Sequence, residues 1–244
     1  MWKGNSFFNT MTRHLHWKFG CILALAFAVQ ATAQTPAGFT LDGGNSQLQC
    51  QGRVLLDAQR DGFMSIKEII PAPGGQHFAV VACGFECNDN VGFLFNADGS
   101  GKRKFTARWD WILQSGVEWS ADGRTLFYYR VNSRGAEAPR SAPATGWVAV
   151  DTRTGSKTKA IARRLNTNTS YAVFNVRAND VLQVRARPHI SANIVASLAH
   201  NAKGVRVTGA AVRANGVVWV PVEAHGAAGW VNQNYLCAER TAQP

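Results

Sequence analysis

The sequence predicts an all-β protein: two packed antiparallel sheets built as a repeated unit, followed by a small β-barrel. Three observations predict this class. Apolar residues alternate or run in fours to sevens between turn signals, from residue 64 to 165 and again from 172 to 232. Glycine (23) far outnumbers proline (8), and 8 Trp and 13 Phe accompany it, a turn-rich aromatic composition. The chain is 46% apolar and 17% charged over 244 residues, too apolar for disorder and long enough for one large or two small cores. Long Ala/Glu/Lys/Leu stretches are absent, which argues against a coiled coil.

The first segment, 1–33, reads as a cleaved signal peptide. Lys3, Arg13 and Lys18 precede an apolar run from Phe19 to Val29, and Ala31-Thr32-Ala33 supplies small residues at the cleavage site. The run is too short to span a bilayer, which needs about 20 residues. Cys21 sits near the start of the run, whereas a lipid-attachment cysteine would follow it. The expected location is periplasmic or secreted, with no transmembrane helix in the mature chain.

The net charge is +11, and +8 without the leader. That excess divides evenly, +4 over 34–165 and +4 over 166–244. Lys102-Arg103-Lys104 is the densest basic run, most simply a solvated hairpin end. Nucleic-acid binding needs a clustered positive face, so it is not expected. A mild positive field suits anionic envelope polymers or lipid surfaces.

Four cysteines follow the leader: Cys50, Cys83, Cys87 and Cys237. An even number in an exported chain points to two disulfides, with three possible connectivities. Cys83 and Cys87 are close enough to bridge, which leaves Cys50 to Cys237. Cys83, Cys87 and His77 as metal ligands are the alternative, but structural zinc usually shows two paired ligand sets. No metal and no cofactor are expected.

Residues 34–165 form the expected sheet domain. One set of strands is Ile66–Ile70, His77–Ala82, Val91–Phe95 and Lys104–Thr106. A second is Trp111–Trp119, Thr125–Val131, Gly146–Val150 and Thr158–Ile161, with a polar loop from Asn132 to Thr145. Gly75 aligns with Gly123, a period of 48 residues, in the range of propeller blades and similar arrays. Glu118-Trp119-Ser120-Ala121-Asp122-Gly123-Arg124-Thr125-Leu126 resembles the signature of TolB-like and WD40-like propeller blades, and Val150-Asp151-Thr152-Arg153-Thr154-Gly155 resembles their outer turn. Asp-Gly supplies the positive-φ turn, and Trp119 is expected to fill the gap between adjacent sheets. A closed propeller usually needs four or more blades and only two fit, so two packed four-stranded sheets, or a partial propeller capped by another domain, are expected.

Residues 166–244 hold the expected barrel, with strands at Ala172–Val176, Val181–Arg185, Ile194–Leu198, Val205–Gly209, Val217–Val222 and Ala228–Asn232. Period two turns Leu182 and Val184 inward and Gln183 and Arg185 outward. The ordered set Asp180-Val181-Leu182-Gln183-Val184-Arg185, Trp219-Val220-Pro221-Val222, Gly229-Trp230-Val231 and Tyr235-Leu236 resembles the bacterial SH3-like domain over nearly its whole length. Gln183 replaces the family's asparagine. The resemblance implies a small barrel that binds peptides or cell-wall glycopeptide.

The candidate ligand-binding residues are Asp180, Arg185, Arg187, Trp219, Trp230 and Tyr235. Each also has a plain reading. Trp219 and Trp230 suit core packing or ligand stacking. Arg185 and Arg187 suit a solvated face or paired hydrogen bonds to a carboxylate. Asp180 suits a turn cap, and Tyr235 a groove hydroxyl or a barrel plug.

The sequence has no His-Glu-x-x-His, no Gly-x-Ser-x-Gly elbow, no phosphate loop and no dinucleotide fingerprint. The expected function is therefore that of an exported, non-catalytic binding protein for cell-wall (peptidoglycan) material or an envelope protein or peptide. An accessory or targeting subunit of a cell-envelope enzyme is the alternative.

Overall fold

Strand-forming residues organise this chain into layers. The structure is a computed structural model that describes residues 38–84, 87, 89–107, 110–131, 144–160 and 163–239, apart from the side chains of 114 and 115. The expected leader, 1–33, and residues 132–143 of the polar loop lie outside the described residues. All strand pairings among the described residues are antiparallel.

A first sheet that the sequence reading did not anticipate comprises β1 (Phe39–Leu41), β2 (Gln47–Cys50) and β3 (Arg53–Asp57). One helical turn, α1 (Ala58–Asp61), follows. Asp57 caps it by accepting from Arg60 N at 3.0 Å. Gly62 ends it at φ +74°, a left-handed position that glycine adopts without a Cβ penalty.

The first repeat is β4 (Ser65–Pro71), β5 (His77–Cys83), β6 (Asn90–Asn96) and the short β7 (Arg103–Lys104). The second is β8 (Trp111–Trp119), β9 (Thr125–Val131), β10 (Gly146–Asp151) and β11 (Lys157–Lys159). The expected pair of separate sheets needs correction here. A bridge at Asn90 and Ile112 joins β6 to β8, so the ladder runs on as β11-β10-β9-β8-β6-β5-β4. The side chain of Asn90 completes the link, its Nδ2 donating to Ile112 O at 3.2 Å.

The 48-residue period has a physical counterpart. Gly75 and Gly123 adopt φ +68° and +67°, and each donates its N–H to the carbonyl three residues back, Ala72 at 3.0 Å and Ser120 at 2.9 Å. Trp119 crosses to the first repeat, where its Nε1 donates to Ile70 O at 3.1 Å.

Period two sorts the strand side chains into faces. In β5, Phe78, Val80 and Ala82 join β1–β3 residues Phe39, Leu48 and Leu56 in one core. Ala79 and Val81 point the other way, into a second core with Ile112, Val117, Leu126, Tyr128, Val148 and Val150 of the second repeat. The two repeats thus share a core as well as a ladder.

The C-terminal sheet comprises β12 (Ser170–Val173), β13 (Val181–Arg185), β14 (Ile194–Ala199), β15 (Val205–Val207), β16 (Val212–Ala214), β17 (Val217–Ala224), β18 (Ala227–Asn232) and β19 (Leu236–Ala238). Its order is β14-β13-β18-β17-β15-β12-β19, with β16 on β17. A 3-10 turn, Gln233–Tyr235, leads into β19. Leu182 and Val184 are buried in its core with Val205, Val220, Val222, Val231 and Leu236, as the alternation predicts.

Cys83 and Cys87 form a disulfide with Cα atoms 4.6 Å apart. That bond takes both sulfurs from the metal alternative involving His77. The expected Cys50–Cys237 link is not formed. Cys50 is buried in the core of the first sheet, and Cys237 is buried beside Tyr129, Trp147 and Phe174, so different layers hold them. No helix among the described residues is long and apolar enough to cross a membrane.

Candidate functional site

A groove of about 410 Å³ runs along the C-terminal sheet. Asp180, Arg185, Trp219 and Tyr235, four of the six ligand-binding candidates, line it from three segments. Asp180 lies just before β13 and Arg185 ends it. Trp219 stands in β17, and Tyr235 ends the 3-10 turn.

Local chemistry fixes these side chains to different degrees. Asp180 is exposed, and its carboxylate accepts from Val181 N at 2.8 Å, the turn-capping role its position suggests. Arg185 is half-buried and anchored, donating to Ala192 O at 2.8 Å and to Gln183 Oε1. Trp219 lines the groove while only 5% exposed, so the same ring serves core and wall. Tyr235 stands out at 36% exposure.

The structure leaves two candidates outside the groove. Trp230 lies half-buried in β18, in register with Arg185 on one side and Pro221 on the other. Arg187 is exposed in the β13–β14 loop, where its carbonyl accepts from His189 N at 2.7 Å. The sequence reading missed Asn175, Arg177 and Ile190, which also line the groove. Ile190 is 66% exposed, and an isoleucine in the polar Arg-Pro-His-Ile-Ser loop was the available signal.

The second repeat holds the back of the groove in place. Asn175, at φ +57°, donates from Nδ2 to Tyr129 Oη at 2.7 Å. Burial, and then the nearby Tyr235 phenol, pushes the Tyr129 pKa up, so this hydroxyl stays protonated. Phe174 meets the Tyr129 ring edge-on at 5.3 Å, and Trp147 Nε1 donates to Asn234 O at 3.3 Å. Arg163 lies 3.6 Å over the Trp147 ring and donates to Gln233 O and Leu236 O, each at 2.7 Å. Its other terminal nitrogen pairs with Glu118, which also accepts from Ala238 N at 3.3 Å. Both ends of the turn that carries Tyr235 are therefore tied to one buried guanidinium.

The groove offers aromatic faces, an exposed acid, an anchored cation and amides, a set suited to a mixed polar and apolar chain. His189 Nδ1 meets Ser191 Oγ at 2.7 Å nearby, in an exposed loop. Among the described residues no cluster of three or more His, Cys, Asp or Glu could hold a metal ion. A scan against protein-family models finds no match to this chain, and a search of curated proteins finds none either.

Proposed function

We propose that this is an exported, non-catalytic binding protein whose C-terminal sheet, a bacterial SH3-like module, grips cell-wall peptide or glycopeptide in the groove. The observation that carries the reading is convergence. Asp180, Arg185, Trp219 and Tyr235, four of the six candidates read from the sequence, line one hollow. Strand content, antiparallel order and the inward Leu182 and Val184 support the module. The blade-like repeats serve as a scaffold that sets the position of Tyr235 and Asn175. The Cys83–Cys87 bond supports an oxidising compartment, periplasmic or extracellular.

Sedimentation of the mature chain with purified peptidoglycan, and calorimetry with its soluble stem-peptide fragments, tests the reading. Asp180→Ala with Tyr235→Ala removes two exposed side chains, so the fold is kept. The double variant is expected to bind about tenfold more weakly or worse, and Arg187→Ala to bind like the wild type. Equal binding by the double variant and the wild type, or none by the wild type, overturns the proposal.

A further inference from the structure

Where the turns of the two repeats gather, the chain encloses a second hollow of about 820 Å³ with cationic walls. His77 opens β5, Lys102 leads into β7 and Arg103 opens it, Arg124 leads into β9, and Arg153 lies in the β10–β11 turn. The basic run at 102–104 is therefore more than a solvated hairpin end. The Arg103 guanidinium donates to Thr152 O and, at 3.2 Å, to Arg153 O. Thr152 ties the same turn to Arg124, its N–H and its hydroxyl both donating to Arg124 O at 3.0 Å.

These contacts position the arginines without cancelling their charge. Among the described residues, none of Arg103, Arg124 and Arg153 is within ion-pair distance of a carboxylate. Lys102 is matched by Asp61 at 2.6 Å. Asp151 is the one acid among the lining residues. It turns to its own loop and accepts from Thr154 N at 2.7 Å and Thr154 Oγ1 at 2.9 Å. Among the lining groups, three arginines against Asp151 leave two positive charges, and Asp122, outside the lining, lies close enough to Arg124 to feel its charge. A carboxylate ligand would answer one of them, whereas a phosphate monoester carries about 1.5 to 2 negative charges at neutral pH. Burial, and then the Arg103 charge, lowers the His77 pKa, so the ring is neutral and can donate to an anion without adding charge.

We propose that this hollow binds a phosphate monoester, held by the forked N–H groups of Arg124 and Arg153 with Arg103 behind them. The phosphate can sit on a soluble molecule or on a lipid headgroup, and the test has an arm for each. The mature chain is titrated with glycerol 3-phosphate, and separately mixed with vesicles of phosphatidylcholine with or without phosphatidic acid. Arg124→Gln with Arg153→Gln changes two exposed side chains. It is expected to weaken binding about tenfold or more, while Arg213→Gln on β16 leaves it unchanged. Saturable binding of glycerol 3-phosphate that the double variant loses supports a soluble ligand. Binding confined to phosphatidic acid vesicles, and lost in the same variant, supports a headgroup. Binding in neither arm, or binding that the double variant retains, overturns the proposal. Asp180 and Tyr235 are untouched by these changes, so failure here is distinguishable from failure of the groove.

Discussion

The two faces of the second repeat are packed by different means. One face meets the first repeat through aliphatic and aromatic side chains, Ile112, Val117, Leu126 and Val148 against Val81 and Leu94. The Trp119–Ile70 hydrogen bond adds a polar link at its margin. The opposite face meets the C-terminal sheet through Tyr129, Trp147 and Phe174 and through the buried Arg163–Glu118 pair. Apolar burial is strong but non-directional. Hydrogen bonds from one planar guanidinium to two carbonyls and a carboxylate fix orientation as well. The difference teaches where precision is required. The joint behind the groove has to hold the Gln233–Tyr235 turn in one place, whereas the joint between repeats only has to hold them together.

Breaking each joint sharpens that contrast, and the largest effect is expected at the polar one. Glu118→Ala leaves Arg163, 1% exposed, without its carboxylate, and removal of one partner of a buried pair costs about 3–5 kcal/mol. Replacing both, Glu118→Leu with Arg163→Met, is expected to recover much of that stability, because apolar isosteres avoid the desolvation penalty. It is not expected to recover the groove, since the carbonyls of Gln233 and Leu236 lose their donor. Leu126→Ala at the other joint is expected to cost about 2–5 kcal/mol and leave ligand binding by the folded protein unchanged. Urea unfolding midpoints and peptidoglycan-fragment calorimetry on the four chains check this. A double variant that binds normally would show that the polar joint does not position the groove.

That joint marks the limit of what the sequence could reveal. Trp111–Trp119 and Thr125–Val131 were legible to the residue, because long alternating runs end at strong turn signals. The first sheet was not, since Gln47–Cys50 and Arg53–Asp57 are short and half polar. Arg163 was not singled out in the sequence, because only tertiary packing brings Glu118 to it across 45 residues. In the groove, the aromatic and charged candidates stood out by residue type and order. Asn175 and Ile190 lie on loops whose placement depends on neighbouring layers, so no local periodicity marks them.

The two repeats can also be compared at equivalent positions. Gly75 and Gly123 share the left-handed backbone, and alanine at either costs about 1–2 kcal/mol on that ground. Their surroundings differ. A Cβ at Gly75 would meet no atom within 4 Å, whereas one at Gly123 would lie 2.5 Å from Pro73 O. Gly123→Ala is therefore expected to lower the unfolding midpoint more than Gly75→Ala, because the clash is with backbone that cannot swing aside. Equal effects would mean that the turns of the two repeats separate freely, contrary to their close contact.

Acid is expected to act on the turns more gently. Asp98 in the first repeat and Asp122 and Asp151 in the second all have pKa values lowered by hydrogen bonds to the ionised form. The largest contributions come from the Ser100 hydroxyl, the Ser120 hydroxyl and the Thr154 N–H respectively. A carboxylate with a lower pKa folded than unfolded adds stability above its unfolded value, about 3.9 for Asp. That contribution is lost as the pH falls through the folded value. The melting temperature should therefore be insensitive to these groups between about pH 5 and 7, and should fall below about pH 4. Asp122→Asn with Asp151→Asn removes the two titrations from the second repeat while keeping a side-chain acceptor in each turn. The variant should lose less of its melting temperature than the wild type between about pH 5 and pH 3, and Asp98→Asn alone should flatten the profile by a smaller amount. Identical acid profiles for wild type and double variant would show that these turn carboxylates contribute nothing to the acid response, and would leave it to Asp42, Asp57 and Asp61, which are also held below the usual carboxylate range.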